Sequence, residues 1–451
     1  MLVLGFAHPV GALLSSPVGP SAAADSLPLL PTPRVIAIRG KPRAFQLLDY
    51  EVSILPGVDG LHARKLATLC GYNGRSPLCE RPLRALPARA PSWTDEAVSR
   101  GLESWGLNLG RGGSGLLPAL ARVCAARGSK LTFHTLPLPD WLRDEQYSYL
   151  ARAEATGAVE IVEHKETADF NAYRSEAAGP HVVPQGGQWA DAEPGIVALA
   201  DAIGAWWKTR PGGGLDVPRA SREASRGLDV VLPAGTGTTA LFLARHAPPG
   251  VRIYAVPCNG NAQQLRSRME YLDARSGGLQ VYPRVLSPPQ SHTVPLGKVS
   301  AAMLAAWRDA IYHGCLLDLV YGPVAWSALE ACEWSLGDAA KPPTGASGSS
   351  RDDDDEQGTS DGGGSAALRD VLYVNTGGHE CLEFQLRRYL RAGFLNKYEF
   401  SNPNNADPGL SYRAKADKWY AGQWGIEQVL DDARRVAAQK SGLLHTRDAG
   451  L

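Results

Sequence analysis

The sequence of 451 residues lacks an excess of charge of either sign, because 46 lysine and arginine residues balance 46 aspartate and glutamate residues. Nucleic acids and anionic membrane surfaces need a concentrated basic face, so neither is an expected partner. No uninterrupted apolar run reaches the roughly 18 residues of a membrane span. The seven cysteines are scattered and form no C-x-x-C pair. Their spacing argues against a structural zinc site or a disulfide framework, and it favours an intracellular reducing compartment: cytoplasm, mitochondrion or plastid.

The beginning of the chain lacks basic residues, since no lysine or arginine precedes Arg34. A secretory signal starts with basic residues and an organellar transit peptide is rich in arginine. We therefore expect residues 1–33 to form a disordered tail, with an atypical targeting peptide as the alternative. Residues 341–367 are rich in glycine, serine and aspartate and are expected to be a disordered acidic insert. Residues 401–451 are expected to form a C-terminal extension.

Strand and helix patterns alternate along most of the remaining chain, which is typical of an α/β protein with parallel sheets. The length allows two lobes. Strands are predicted from residue 34 and at 130–134, 159–162, 181–184, 229–232, 252–256 and 371–374. Helices are predicted at 116–126, 141–156, 195–208, 238–246, 261–275, 298–312 and 379–391. Residues 60–69 have a basic helical pattern, and the proline-rich residues 76–99 indicate loop or disorder.

The stretch LPAGTGTTALFLARH, residues 232–246, places a glycine turn between a buried strand and a helix, which is an arrangement that holds anions. A Walker loop would need Lys and Ser/Thr after the glycines, and this sequence contains no GK[ST]. A dinucleotide fingerprint is matched by Gly235, Gly237 and Ala240. However, the next strand should end in an acidic residue that binds the ribose, and here it runs into Pro257-Cys258-Asn259.

A single phosphate group suits the loop better, because it offers backbone N–H groups, three hydroxyls and a helix N-terminus. The predicted phosphate-binding residues are Gly235, Thr236, Gly237, Thr238 and Thr239. Pyridoxal 5'-phosphate is a cofactor with one phosphate and demanding chemistry. A tight turn without any ligand is the structural alternative. A second glycine turn after a buried strand, Asn375-Thr-Gly-Gly378, argues for a ligand, since open α/β sheets bind ligands at the carboxyl ends of their strands.

Seven segments of the chain together resemble the 1-aminocyclopropane-1-carboxylate deaminase/D-cysteine desulfhydrase family. In order they are GLHARKL (60–66), GGSG (112–115), HTLPLPDWLR (134–143), VPQGG (183–187), LPAGTGTTALFLARH (232–246), DLVYG (318–322) and YVNTGG (373–378). The resemblance implies an α/β fold of two lobes, each with a parallel sheet between helices in three layers, as in tryptophan synthase β (fold type II). The small lobe would comprise about residues 100–165, inserted into a catalytic domain spanning 34–400. The resemblance also implies pyridoxal 5'-phosphate as cofactor and a homodimer.

The same resemblance implies roles for individual residues. The loop residues Thr236 to Thr239 would cradle the phosphate, and Ser114 would lie near the substrate carboxylate. Tyr321 matches the active-site tyrosine. Thr376 matches the hydroxyl residue that faces the pyridine nitrogen in desulfhydrase-type members, where a neutral hydroxyl suits β-elimination. Gly322 follows the tyrosine where the deaminase type has glutamate, and this favours the desulfhydrase type.

The chain departs from the family at its most important position, because the cofactor lysine is replaced by His62. Only a primary amine forms the covalent bond to pyridoxal. Lys65 offers a substitute, but it lies about 5 Å further along a helix, which would move the amine off the cofactor's aldehyde. Gly115 replaces the family's asparagine, and residues 76–99 occupy the place of the strand expected before that turn. A faulty gene prediction, with a retained intron or shifted frame, would explain all three; a degenerate homologue is the other explanation.

These observations predict a lyase or deaminase that acts on a small amino acid. The leading hypothesis is β-elimination of a D-cysteine-like substrate to pyruvate, ammonia and sulfide. Ring opening of 1-aminocyclopropane-1-carboxylate is one alternative, and a catalytically inactive homologue or incomplete gene model is another. No metal is expected, because His134, His164 and His181 lack the spacing of metal ligands.

Overall fold

The computed structural model describes residues 34–37, 44–49, 65–66, 101–106, 115–177, 181–209, 227–332, 369–377, 382–395 and 433–437. The predictions for residues 1–33, 76–99 and 341–367 lie outside the described residues, as do those for most of 401–451. The strands are β1 (Arg34–Ala37), β2 (Ala44–Asp49), β3 (Leu102–Gly106), β4 (Leu131–Thr135), β5 (Val159–Glu163), β6 (Val182–Val183), β7 (Leu228–Ala234), β8 (Val251–Pro257), β9 (Arg284–Val285) and β10 (Asp370–Asn375). The helices are α1 (Leu116–Ala126), α2 (Asp140–Arg143), α3 (Tyr149–Glu154), α4 (Thr167–Glu176), α5 (Glu193–Lys208), α6 (Thr238–His246), α7 (Ala262–Arg275), α8 (Ala301–Tyr312), α9 (Gly322–Ala331) and α10 (Leu382–Arg391).

The larger sheet has six strands in the order β1-β2-β10-β7-β8-β9. Its strands are parallel except for β1, which pairs with β2 in the antiparallel sense. At the centre, Val231 of β7 lies between Tyr373 of β10 and Tyr254 of β8. The carboxyl ends of these three strands therefore meet at one edge, where a ligand site is expected in a sheet of this kind.

Helices cover both faces of the larger sheet, as the alternation of side chains along β7 demonstrates. Val230 and Leu232 pack into one hydrophobic core with residues of α5, α6 and α7. Val231 points the other way, into a second core formed with α8, α9 and α10. Every residue of β7 is buried, and the strand is apolar except for Asp229, which is close to the pattern expected of a central parallel strand. The sheet and its helices form three layers.

One charged residue lies within this core strand, and it has a partner. Asp229 is buried and its carboxylate Oδ1 accepts a hydrogen bond of 2.7 Å from Nε of Arg369. The same guanidinium donates to the carbonyl of Gly250 at 2.7 Å. A buried carboxylate is tolerated when it is paired and hydrogen-bonded, as Asp229 is here. The ion pair joins the starts of β7 and β10, so its charges lie away from the carboxyl edge of the sheet.

The smaller sheet has four parallel strands in the order β5-β4-β3-β6. We expected residues 76–99, with their loop-like pattern, to stand in the place of one strand of this sheet, and this was wrong. Leu102–Gly106 forms β3. The pattern concealed the strand because the polar Ser104 is buried together with its apolar neighbours. A missing strand is therefore no longer a reason to suspect the gene prediction.

Helix prediction was accurate for α1 and α6 and less so elsewhere. The helix predicted at 141–156 is two helices, because the chain leaves α2 at Asp144 and Ser148 caps α3 by accepting a hydrogen bond of 3.1 Å from the Ala151 N–H. The helices α4 and α9 were not predicted. The α/β class with parallel sheets between helices is confirmed. Within the described residues, no helix is long and apolar enough to cross a membrane.

Candidate active site

The glycine loop, residues 235–239, joins the carboxyl end of β7 to the first turn of α6. Gly237 has a left-handed backbone with φ of +85°, and a Cβ atom there would lie 2.5 Å from the Met269 Cγ. Both the backbone angle and the space require glycine at this position. The sequence pattern therefore encodes a tight turn at the C-terminal edge of the central strand.

The loop presents hydroxyl groups and N–H groups around the start of α6. Thr238 and Thr239 are buried, and the Thr236 Oγ1 lies 2.9 Å from the Thr238 Oγ1. No side chain among the described residues caps this helix, and no acidic residue lies in its first turn. The first N–H groups of a helix without a cap need an acceptor, and the partial positive charge of the terminus favours an anion. This arrangement suits a phosphate group.

Lys65 brings a primary amine to the same edge of the sheet. Its side chain is partly buried, and Nζ donates a hydrogen bond of 3.0 Å to the carbonyl of Gly186. Burial of the amine lowers the pKa of Lys65 to about 8 because a desolvated ammonium is less stable than a solvated one. An amine with such a pKa is a far better nucleophile and base near neutral pH than an ordinary lysine.

The turn at Gly186 and Gly187 connects this lysine to the glycine loop. Both glycines are left-handed, with φ of +68° and +67°. A Cβ atom on Gly187 would lie 3.2 Å from the Lys65 Cδ, and one on Gly186 would lie 2.6 Å from the Thr236 Cγ2. The two glycines thus allow the lysine side chain on one side and the threonine of the loop on the other to approach one backbone turn closely.

Tyr321 packs against the beginning of the glycine loop. A Cβ atom on Gly235 would lie 3.2 Å from the Tyr321 Cε1. Burial raises the pKa of the Tyr321 phenol, and the nearby negative charge of Asp318 raises it further. The phenol is therefore neutral at physiological pH and keeps its proton available for donation.

Asp318 holds the chain around this tyrosine. Its buried carboxylate accepts hydrogen bonds from the N–H groups of Val320 at 2.7 Å, Tyr321 at 2.6 Å and Gly322 at 2.9 Å. These bonds satisfy the first donors of α9 and complement the positive end of the helix. The backbone carbonyl of Tyr321 accepts a 3.6 Å contact from the Cys258 thiol. The position of the tyrosine is thus determined on both sides of its backbone.

Thr376 is partly buried and follows the last residue of β10, which is the neighbour of β7 in the sheet. It lies at the same carboxyl edge as the glycine loop. The preceding Asn375 is buried and its amide donates a hydrogen bond of 2.9 Å to the carbonyl of Leu316. His62 and Ser114 lie outside the described residues, so the roles predicted for them stay predictions.

The described residues thus bring together Lys65, the loop residues 235–239 and Tyr321 from segments far apart in the sequence. Sequence analysis missed the function of the Gly186-Gly187 turn and of Asp318. A signal was present for both, since two consecutive glycines after Pro184 indicate left-handed backbone, and an aspartate shortly before a helix indicates a cap. The expected displacement of the Lys65 amine from the cofactor's aldehyde stays a prediction, while its contact with the Gly186 turn could not be read from helix geometry.

Histidines elsewhere do not form a metal centre in the described part of the chain. The His134 Nδ1 lies 2.9 Å from the His164 Nε2 in the smaller sheet, and the His181 Nε2 lies 3.7 Å from a carboxylate oxygen of Glu103. No group of three or more possible metal ligands occurs among the described residues.

Comparison with known proteins gives structural similarity but no sequence relatives. No family model matches, and no curated protein matches. The chain is similar to a hydrogen sulfide-producing enzyme from Fusobacterium nucleatum, with a TM-score of 0.44 and 10% identity over 80% of this chain and 98% of that chain. It is similar to an O-ureido-L-serine synthase, with a TM-score of 0.43 and 14% identity over 87% of this chain and 96% of that chain. It is also similar to a fungal L-serine ammonia-lyase from Rhizomucor miehei, with a TM-score of 0.42 and 9% identity over 76% of this chain and 93% of that chain.

Proposed function

We propose that this protein is a pyridoxal-phosphate-dependent enzyme of fold type II that eliminates a substituent from a small amino acid, with Lys65 as its cofactor lysine. The observation that carries the proposal is the buried amine of Lys65, whose pKa is lowered to about 8 and which shares one backbone turn with the glycine loop. A phosphate site and an activated primary amine, brought together at the edge of a parallel sheet, are the two attachments that pyridoxal phosphate requires.

The residues around the loop fit this cofactor. The loop offers hydroxyl groups and a helix N-terminus for one phosphate dianion, and a Cβ atom at Gly237 would collide with Met269. Thr236, Thr238 and Thr239 would hold the phosphate, while the Lys65 amine would bond to the aldehyde carbon. Thr376, at the adjacent strand end, would face the ring nitrogen with a neutral hydroxyl. When bound, the cofactor supplies an electron sink for the bond that breaks at the α-carbon.

Lys65 and Tyr321 would do the proton chemistry. With a pKa of about 8, roughly a tenth of the Lys65 amine is neutral at pH 7, and the neutral Nζ can accept a proton. The hydrogen bond from Nζ to the Gly186 carbonyl fixes the direction of the lysine side chain. Tyr321 keeps its phenolic proton because burial raises its pKa. Its neutral hydroxyl would donate a hydrogen bond to the ligand, whereas the Lys65 ammonium that forms when Nζ takes up a proton would be the stronger acid for a leaving group.

The residue after the tyrosine supports the proposed substrate type. Gly322 stands where the deaminase type of the family has glutamate, and a Cβ atom on Gly322 would lie 2.6 Å from the Leu317 Cβ and 3.3 Å from the Asp318 Oδ2. A glutamate there would clash with the loop that holds Tyr321 and bring a second carboxylate beside Asp318. This favours a desulfhydrase-like elimination, in which D-cysteine gives pyruvate, ammonia and sulfide, over opening of a cyclopropane ring.

One observation favours a second candidate, an inactive homologue that binds a phosphorylated ligand. His62 occupies the position at which the family has its lysine, and imidazole cannot form the covalent bond. The phosphate loop would be unaffected by that replacement. The two candidates differ in whether Lys65 reacts with the cofactor.

The test is turnover by the purified full-length protein with pyridoxal phosphate added. D-cysteine, L-cysteine and 1-aminocyclopropane-1-carboxylate are supplied separately, and released sulfide, ammonia and the 2-oxo acid are measured. We expect sulfide and pyruvate in equal amounts from D-cysteine. Formation of 2-oxobutyrate from the cyclopropane substrate would contradict the substrate type. A protein that binds pyridoxal phosphate without any covalent bond or turnover would instead be the inactive homologue.

A further inference from the structure

Arg268 of α7 carries a guanidinium group that has no carboxylate partner among the described residues. Two more deeply buried arginines differ from it: the fully buried Arg245 contacts Glu193 and Asp273, and the mostly buried Arg369 contacts Asp229. Arg268 is partly buried, donates only to the carbonyl of Asn259, and has a buried Nε without a hydrogen-bond partner in the described structure. A desolvated cation of this kind is stabilised by an anion, and the dipole of a carbonyl group provides only part of that stabilisation.

The position of Arg268 connects it to three parts of the candidate site. Its backbone carbonyl accepts a hydrogen bond of 2.8 Å from Gln188, which follows the glycine turn that holds the Lys65 amine. The adjacent residue, Met269, is the one that packs on Gly237 of the loop. The charge of Arg268 also acts on Tyr321: it lowers the pKa of that phenol, against the larger rise that burial produces. The guanidinium therefore lies at the carboxyl edge of the sheet, beside the site and not on the outer surface of α7.

We propose that Arg268 binds an oxyanion of the ligand in this site, either the carboxylate of the amino-acid substrate or the phosphate of the cofactor. The proposal rests on the proposed function for the identity of these ligands. Guanidinium is the side chain best suited to such groups, because its N–H donors match the two oxygens of a carboxylate or phosphate in a fixed plane. Burial lowers the pKa of Arg268 without discharging it, so the cation would be available throughout the physiological range.

The variant Arg268→Gln tests this, with Arg266→Gln as the matched control. Arg266 lies on the same helix two residues earlier, but it is exposed and pairs with Glu270 at 2.9 Å. For each protein we would measure the dissociation constants of pyridoxal phosphate and of pyridoxal, which lacks the phosphate, by absorbance titration. The KM and kcat for D-cysteine follow, with D-alanine as a non-eliminating ligand. Arg268→Lys determines whether charge alone is sufficient.

A phosphate-binding role predicts that Arg268→Gln reduces the ratio of pyridoxal phosphate to pyridoxal affinity by about 10- to 100-fold. A carboxylate-binding role predicts an unchanged ratio, with KM for D-cysteine and the dissociation constant of D-alanine raised by a similar factor and kcat less affected. Arg266→Gln should change neither the affinity ratio nor the constants for D-cysteine and D-alanine. If Arg268→Gln also leaves the ratio and these constants at wild-type values, the proposal is wrong.

The outcome can be separated from failure of the proposed function. If the wild-type protein forms no covalent bond with pyridoxal phosphate and turns nothing over, the proposed function fails, but binding of inorganic phosphate and of D-alanine can still be measured by the shift in melting temperature. Stabilisation by either ligand in the wild type that is lost in Arg268→Gln and kept in Arg266→Gln would support the oxyanion site. A shift with neither ligand would overturn it.

Discussion

The glycine loop and the lysine arm meet at the same edge of the larger sheet but are encoded in opposite ways. The loop is local: residues 235–239, the strand before them and the helix after them are contiguous in the sequence. The lysine arm, formed by Lys65 and Gly186, is assembled from residues 121 positions apart. A local motif can be recognised from its pattern of glycines and hydroxyls, whereas an assembled one becomes visible only when the fold brings its parts together.

The comparison also bears on His62, which stands where the resemblance implies a lysine. Under the proposed function, the glycine loop would hold the phosphate, and an amine would have to reach the ligand from the other side. Lys65 is the proposed source of this amine, because its Nζ donates to the carbonyl of Gly186, and the two left-handed glycines at 186 and 187 permit close approach of both Lys65 and Thr236. The proposal therefore predicts that activity depends more on the lysine arm than on the loop.

The largest effect is expected from Lys65→Ala. Removing the amine that contacts the Gly186 turn beside the glycine loop should abolish the covalent bond to pyridoxal phosphate and reduce kcat/KM on the order of 10³-fold or more. Lys130→Ala is the control, because the Lys130 Nζ also donates to a glycine carbonyl at 3.0 Å, that of Gly157, but on the exposed surface. Steady-state kinetics and the absorbance spectrum provide the measurement. Equal activity of the two variants would show that the Lys65 amine does not take part in the reaction.

A smaller effect is expected from Gly186→Ala. The added Cβ would lie 2.6 Å from the Thr236 Cγ2, so the turn that accepts the Lys65 hydrogen bond must move away from the loop. We expect a loss of about 1–3 kcal/mol from overpacking, observed as roughly 5- to 150-fold weaker binding of pyridoxal phosphate. Gly250→Ala is the control: it has the same left-handed strain, with φ of +84°, but no atom within 4 Å of the new Cβ. Equal cofactor affinities in both variants would contradict the role of the turn.

Asp318→Asn tests the support of Tyr321. The carboxylate accepts three backbone N–H groups, and an amide can accept with one oxygen only. We expect the free energy of unfolding to fall by about 1.5–3 kcal/mol in a denaturant titration, since hydrogen bonds to a charged group are lost. Asp169→Asn, in the first turn of α4 on the exposed surface, should cost about 0.5 kcal/mol or less. Similar values for the two variants would mean that Asp318 is not a structural cap.

The smallest effect is the pH dependence of cofactor capture. The neutral amine is the reactive form, and the pKa of Lys65 is lowered to about 8, so the rate of bond formation with pyridoxal phosphate should rise with pH and level off above 8. Between pH 7 and pH 9 the neutral fraction increases about tenfold. Stopped-flow absorbance gives the rate. A rate that continues to increase toward pH 10.5 would indicate an ordinary solvated lysine.

Sequence alone predicted the three neighbouring strands β10, β7 and β8 and the helix α6 closely, because apolar runs and glycine turns are local signals, but it missed β2 and β9 of the same sheet. It predicted the glycine turn between β7 and α6 for the same reason, while phosphate binding by this turn stays a prediction. It did not find β3, where the buried Ser104 breaks the pattern, or α9, whose start depends on the capping carboxylate of Asp318. It also could not place the Lys65 amine, since the acceptor of that amine lies in another segment of the chain.

The covalent attachment of pyridoxal phosphate tests the account most directly. The purified full-length protein is mixed with pyridoxal phosphate, its visible spectrum is recorded, and the complex is reduced with borohydride, digested and mapped by mass spectrometry. The account predicts a yellow protein whose reduced pyridoxyl group is found on Lys65. A colourless protein with no modified lysine, or a pyridoxyl group on a different lysine, would contradict it.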